Sequence, residues 1–155
     1  MSRNYVCYHL HSSDSLLDSA TKYQDYIDYA ASLGQTAIGF TEHGNLYEWY
    51  GKKQYAESKG LKYLHGVECY LTERFKDDNN KEDSNIRDNY HTILISKNWD
   101  GFVELNNLVK LSSQPDHRYY KWRLSFDEFF NISDNIIKIS ACLQSPLNKF
   151  RQNVK

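Results

Sequence analysis

Residues 36–70, TAIGFTEHGNLYEWYGKKQYAESKGLKYLHGVECY, hold the pattern that sets the fold. Thr36 to Thr41 reads as a short strand that ends at Glu42-His43-Gly44-Asn45. From Leu46 to Lys59 the residues Leu46, Trp49, Tyr50 and Tyr55 recur at helical spacing, and Gly60 closes the run. Tyr63 to Tyr70 returns to strand character, with Gly66 expected to interrupt it. Strand, helix and strand in one stretch is the alternation from which α/β sheets are built.

The alternation extends in both directions. Tyr5 to His9 reads as a first strand, with Tyr5, Cys7, His9 and His11 on one face because strand side chains alternate. Thr21 to Leu33 follows as a helix through Tyr23, Tyr26, Ile27, Ala30 and Leu33, stopped by Gly34. Beyond residue 70, the segment 76–89 has almost no apolar content and is expected to be a mobile polar loop. His91 to Ser96 reads as a fourth strand and Trp99 to Leu111 as a helix with Asp100 near its positive end. Ser125 and Glu128 stand at capping-box spacing, Ile136 to Ser140 reads as a fifth strand, and Pro146 to Val154 as a closing helix. The expectation is one α/β domain over residues 1–155, with about five strands in a largely parallel sheet.

Bulk composition narrows the class. The chain has 155 residues, 40% hydrophobic and 25% charged, ordinary values for a globular domain with a real core. Its net charge of −1 offers no general attraction to a phosphate backbone, so any nucleic-acid contact must be local. No apolar run approaches the ~20 residues of a membrane span, and no signal-peptide core follows the start; a cytoplasmic protein without membrane contact is expected. Three cysteines are too few and scattered for a disulfide framework.

Chemistry-bearing residues collect at element ends, where α/β folds place their sites. His9-Leu10-His11 leaves a strand with both imidazoles on one side. Asp18 lies in the following loop, Glu42-His43 after the second strand, Glu68 near the end of the third, His91 at the fourth and Cys142 after the fifth. Imidazole, carboxylate and thiolate together suit zinc or manganese better than magnesium alone.

The wording of these segments is specific. Tyr8-His9-Leu10-His11-Ser12, Ser15-Leu16-Leu17-Asp18, Thr41-Glu42-His43-Gly44-Asn45-Leu46, Gly66-Val67-Glu68-Cys69-Tyr70 and Tyr90-His91 together resemble the polymerase-and-histidinol-phosphatase (PHP) domain. The branch they resemble is the amino-terminal domain of bacterial DNA polymerase III α subunits. Ile139-Ser140-Ala141-Cys142-Leu143 continues the match. The resemblance implies a partial, distorted (β/α)₇ TIM-like barrel with up to three divalent metal ions at one rim. It implies metal-dependent phosphoester hydrolysis of the 3′-5′ exonuclease or pyrophosphatase type, acting on a DNA 3′ end or a nucleotide phosphate.

By the same resemblance His9, His11 and Glu68 would hold one metal, Glu68, His91 and Cys142 a second, and Asp18 with His43 a third, with Glu68 bridging. The family pattern also has a later Asp-x-His pair, which does not occur in these 155 residues. The set Glu68, His91 and Cys142 is therefore expected to hold its ion best. Glu42 stands where the family has Asp, as a partner expected to orient a metal-binding imidazole. The alternative is a non-catalytic scaffold whose open barrel edge docks replication proteins or a second copy.

The remaining candidates have plainer readings. Cys7 and Cys69 read as core thiols, and His65 and His117 as surface or loop residues. Lys52, Lys53, Lys59 and Lys62 could attract phosphate, but helix lysines usually form a solvated face, and nearby acidic residues dilute the effect. Trp49, Trp99 and Trp122 could stack bases, with packing the simpler assignment for the two in helices. His91 opens its strand, so it can meet Glu68 only if the third and fourth strands form an antiparallel hairpin.

Overall fold

The computed structural model describes residues 5–76 and 87–151. In chain order it contains α1 (Tyr23–Ser32), β1 (Ala37–Phe40), α2 (Trp49–Ser58), β2 (Lys62–Thr72) and β3 (Tyr90–Ser96). There follow α3 (Trp99–Ser112), β4 (Arg118–Tyr119), β5 (Lys121–Ser125), α4 (Phe126–Phe130), β6 (Ile136–Ser140) and α5 (Pro146–Arg151). Of the polar loop expected over 76–89, residues 77–86 lie outside the described residues, as do 152–154 of the closing helix.

β2 organises the sheet. The strand order is β4-β5-β2-β3-β6, with β1 paired in parallel to Lys62–His65 at the start of β2. β5 is parallel to β2, whereas β3 is antiparallel to β2 and β6 antiparallel to β3. The sheet is thus mixed, not largely parallel as the alternation predicts, because β3, the next strand in sequence, lies antiparallel beside β2. The described strands form an open sheet and not a closed barrel. The pairing of Tyr70 with His91 meets the hairpin condition stated for His91.

Three other expectations change. Tyr5 to His9 is irregular: Thr41 N–H donates to Leu10 O at 2.9 Å and Leu10 N–H to the Thr41 hydroxyl at 3.1 Å. A side-chain oxygen thus takes a place that a ladder carbonyl would fill. Gly66 does not interrupt β2. A Cβ there would meet Leu94 O at 3.0 Å and Thr41 Cγ2 at 3.1 Å, so glycine permits close approach of neighbours. The β4–β5 hairpin, turning at Tyr120 with φ 56°, adds a strand pair that the sequence pattern did not reveal. Its strands are too short for a period to register.

Two apolar layers hold the sheet. Val67, Cys69, Leu71 and Leu94 pack against Leu105 and Leu108 of α3, while Ile38 and Phe40 of β1 pack against Ile27 and Ala30 of α1 and Ala56 of α2. Local signals end the helices: Gly34, at φ 68°, follows α1 and donates to Ala31 O, and Asn98 Oδ1 accepts from Gly101 N–H at the start of α3. Ser125 and Glu128 form the capping box expected for α4.

Candidate metal centre

Backbone bonds bring the chemistry-bearing segments to one place. Gly44 N–H donates to Glu68 O at 2.9 Å and Glu68 N–H to Glu42 O at 3.1 Å, fixing the loop after β1 beside β2. His91 N–H donates to Gln144 O at 3.0 Å, which ties the start of β3 to the turn after β6.

Glu68, with its side chain 1% exposed, is the hub. Its Oε2 lies 2.6 Å from His9 Nε2 and 3.4 Å from His11 Nε2. Its Oε1 lies 2.9 Å from His43 Nδ1 and 3.2 Å from His91 Nδ1. His43 Nε2 reaches Asp18 Oδ2 at 3.1 Å, and Cys142 Sγ lies 3.5 Å from His91 Nδ1. All seven residues singled out as ligands therefore fall in one connected cluster. Burial alone would push the Glu68 carboxyl up, but bonds from His11, His43, His9 and His91 outweigh it and hold the group ionised, far below the usual carboxylate range. His43 is raised above the ordinary imidazole value, chiefly by its bond to Glu68.

The spacing suits a small cation. Around zinc, with bonds of about 2.0–2.1 Å to nitrogen and oxygen, tetrahedral ligand atoms lie roughly 3.3 Å apart, and roughly 3.5 Å when one is sulfur. The His11–Glu68, His91–Glu68 and His91–Cys142 separations match these values. The 2.6 Å contact of His9 with Glu68 is shorter than these values and is that of a direct hydrogen bond. The compact triads among the described residues are His9, His11, Glu68 and His11, Asp18, His43. The set Glu68, His91, Cys142, expected to be best held, is not among them, because Cys142 sits at the cluster's margin.

Glu42 is buried, and its surroundings correct the sequence reading. It touches no imidazole. It accepts from Ser12 Oγ and Ser15 Oγ, each at 2.5 Å, and from Lys52 Nζ at 2.8 Å. Burial pushes its carboxyl up, but Lys52, Ser12 and Ser15 hold it below the ordinary value. Ser15 carries the influence onward. Its single proton goes to Glu42, so its oxygen accepts from His43 N–H at 3.2 Å and from His11 Nδ1 at 3.1 Å. Ser15 thereby anchors His11 through Nδ1 and turns its Nε2 towards Glu68, 3.4 Å away.

Several residues had no role, or a different one, in the sequence reading. Lys52 is not on a solvated face but 1% exposed, ion-paired to Glu42 and to Asp14 at 2.7 Å. Tyr70 brings its hydroxyl to 2.6 Å from His43 Nδ1, and burial and the Glu68 charge keep that phenol protonated. Its signal, a tyrosine two residues past Glu68 on the same face, is visible only once the strand is known. His65 and His117 are buried, not on the surface, and neither joins the cluster. Cys69 packs in the core, its thiol pushed up to about 12 by burial.

A carboxylate ringed by four imidazoles, with a second carboxylate and a thiol at its margin, is a donor set of the divalent-metal type on a mixed α/β sheet. The chain belongs to the PHP domain family, whose model matches residues 8–154. It is 35% identical over 150 residues to the DNA polymerase III subunit alpha of Aquifex aeolicus, covering 93% of this chain and 13% of that protein. It is 32% identical over 146 residues to the same subunit of Treponema pallidum, covering 93% of this chain and 12% of that protein. The chain thus spans about an eighth of the length of these relatives. An amidohydrolase structure from Chromobacterium violaceum overlaps 70% of this chain and 33% of its own at 21% identity, with a TM-score of 0.48. No helix among the described residues is long and apolar enough to cross a membrane.

Proposed function

We propose that this chain holds divalent metal, zinc or manganese, through His9, His11, Asp18, His43, Glu68, His91 and Cys142, and hydrolyses phosphoester bonds. The substrate would be a DNA 3′ end or a nucleotide phosphate, in the replication context of the DNA polymerase III α relatives. The observation that carries the proposal is the convergence of four imidazoles on the single buried carboxylate of Glu68. Such a buried, ionised group is retained where a cation or protonated partners compensate it.

When bound, a divalent ion supplies an activated water and charge stabilisation for phosphoryl oxygens. The chain's own residues do the positioning. Glu68 keeps its negative charge on the centre, and the Glu42–Ser15 pair holds His11 with Nε2 inward. Asp18 holds His43 Nε2 from the solvent side, and Tyr70 keeps a protonated hydroxyl against the same ring.

Metal content of the purified chain and release of 3′ nucleotides from single-stranded DNA with added manganese or zinc test the reading. Wild type should bind metal and gain thermal stability from it, and Glu68→Gln should lose most of both along with hydrolysis. Absence of metal binding would overturn the proposal. Metal binding without hydrolysis would favour a second reading, a non-catalytic docking module. The observation behind that reading is β6, which among the described strands pairs only with β3.

A further inference from the structure

An aromatic cleft of about 560 Å³ lies between the start of α2, the first half of β2, the end of β3 and the start of α3, with Tyr8, next to His9, at its edge. Trp49, Phe102 and Trp99 form a run of rings in it. Trp49 meets Phe102 edge-on with centroids 5.0 Å apart, and Phe102 stacks on Trp99 at 5.0 Å with planes 12° apart. Trp99 is 72% exposed although it opens a helix, so one face of its ring is covered by Phe102 and the other meets solvent. Tyr50, 57% exposed, continues the aromatic surface beyond Trp49, with centroids 5.5 Å apart. Simple packing, the assignment made for Trp99 from sequence, does not account for that exposure.

The charge on the cleft is of one sign. Lys53, Lys62 and Lys97 line it, and no aspartate or glutamate does. Lys53 is shared with Glu57 at 2.7 Å, so Lys62 and Lys97, both exposed, supply most of the positive field. His65 forms part of the wall as a neutral ring, pushed down to about 4 by burial. This is the local basic and aromatic surface that a chain of net charge −1 would need to hold a polyanion.

We propose that this cleft binds single-stranded nucleic acid, with bases stacked on Trp99 and the Trp49–Tyr50 surface and phosphates paired to Lys62 and Lys97. Flat rings with an open face accept any base, and flanking lysines follow the backbone; that combination is how single strands are held without sequence readout. An apolar protein surface would gain from the rings but not from the lysines. His65 lies three residues before Glu68 on β2, about 10 Å along the strand, while Tyr8 adjoins His9 at the cleft's edge. The stacking rings and the two lysines are not among the metal-type residues, so this binding needs neither metal nor catalysis.

The test is fluorescence anisotropy of a labelled short oligothymidylate with the full 155-residue chain, in chelator, over a salt series. Wild type should bind at low salt and weaken as salt rises. Trp99→Ala removes an exposed ring and should weaken binding at least about fivefold with an unchanged melting temperature. Lys62→Gln with Lys97→Gln should flatten the logarithmic salt dependence by roughly 1.4, at about 0.7 per phosphate contact. No binding at low salt, or equal binding of a duplex of the same length, overturns the proposal. Trp99→Ala binding like wild type, with only the lysine changes mattering, indicates plain polyanion attraction and overturns it too. Because metal is chelated throughout, failure here leaves the metal-centre reading untouched.

Discussion

Replacing Lys52 with Met should cost more than any exposed-lysine change in this chain, because it leaves two carboxylates facing a neutral side chain. Lys52 Nζ lies 2.8 Å from Glu42 Oε1, 2.7 Å from Asp14 Oδ2 and 3.0 Å from Tyr47 O. The Lys52 and Glu42 side chains are 1% and 2% exposed, so water cannot replace the lost charge on Glu42; Asp14, at 15%, retains a little. Removing one member of a buried pair costs about 3–5 kcal/mol, against about 0–1 kcal/mol for an exposed pair. The partial hydration of Asp14 favours the lower part of that range, about 3–4 kcal/mol. At about 2–4 °C per kcal/mol for a domain of this size, the melting temperature should fall by about 6–16 °C. Urea unfolding with chelator present measures the loss free of any metal contribution. The double variant Lys52→Met with Glu42→Gln should recover at least about 1 kcal/mol, since the two groups touch. A loss under about 1 kcal/mol, or strict additivity of the two changes, would refute the idea that this pair is desolvated.

Two further outcomes follow from buried groups and close contacts. Burial holds the folded His65 pKa near 4, below its ordinary 6.5, so folding favours the neutral ring. That contribution is complete above pH 6.5 and lost as pH falls towards 4, by roughly 3 kcal/mol in all. His65→Gln should show a visibly shallower acid loss than wild type in urea unfolding across that window, and parallel curves would count against the assignment. At Gly101 an added Cβ would lie 2.3 Å from Asn135 O. Gly101→Ala should therefore destabilise by about 1–3 kcal/mol despite its better helix propensity, and a neutral or stabilising result would show that α3 can shift away from the turn before β6.

Local pattern carried much of the fold. Four of the six strands, β1, β2, β3 and β6, can be read from the apolar runs, and helix ends from Gly34, Gly60 and the Ser125–Glu128 box, because these signals act over a few residues. The β4–β5 hairpin was not legible, since two- and five-residue strands give too little period to register. Nor was the irregular course of Tyr5 to His9 legible, whose β-prone composition is satisfied by contacts with Thr41 in place of a regular ladder. Strand direction escaped as well: β2 and β3 look alike in sequence whether they run parallel or antiparallel.

The candidate site divides in the same way. Residue type and position at element ends named His9, His11, Asp18, His43, Glu68, His91 and Cys142, because metal-type chemistry restricts the side chains that can serve. What the sequence alone did not determine was the shell behind them. Lys52 looks like any helix lysine, and Ser15 like any loop serine, until folding buries one against Glu42 and sets the other between Glu42 and His11. Trp99 looks like a packing residue until tertiary structure leaves it exposed beside a neutral histidine and two lysines. Candidacy as a ligand is a matter of chemistry carried by each residue, and that is legible in the chain itself. Burial, exposure and proton placement depend on neighbours distant in sequence, and only the folded structure decides them.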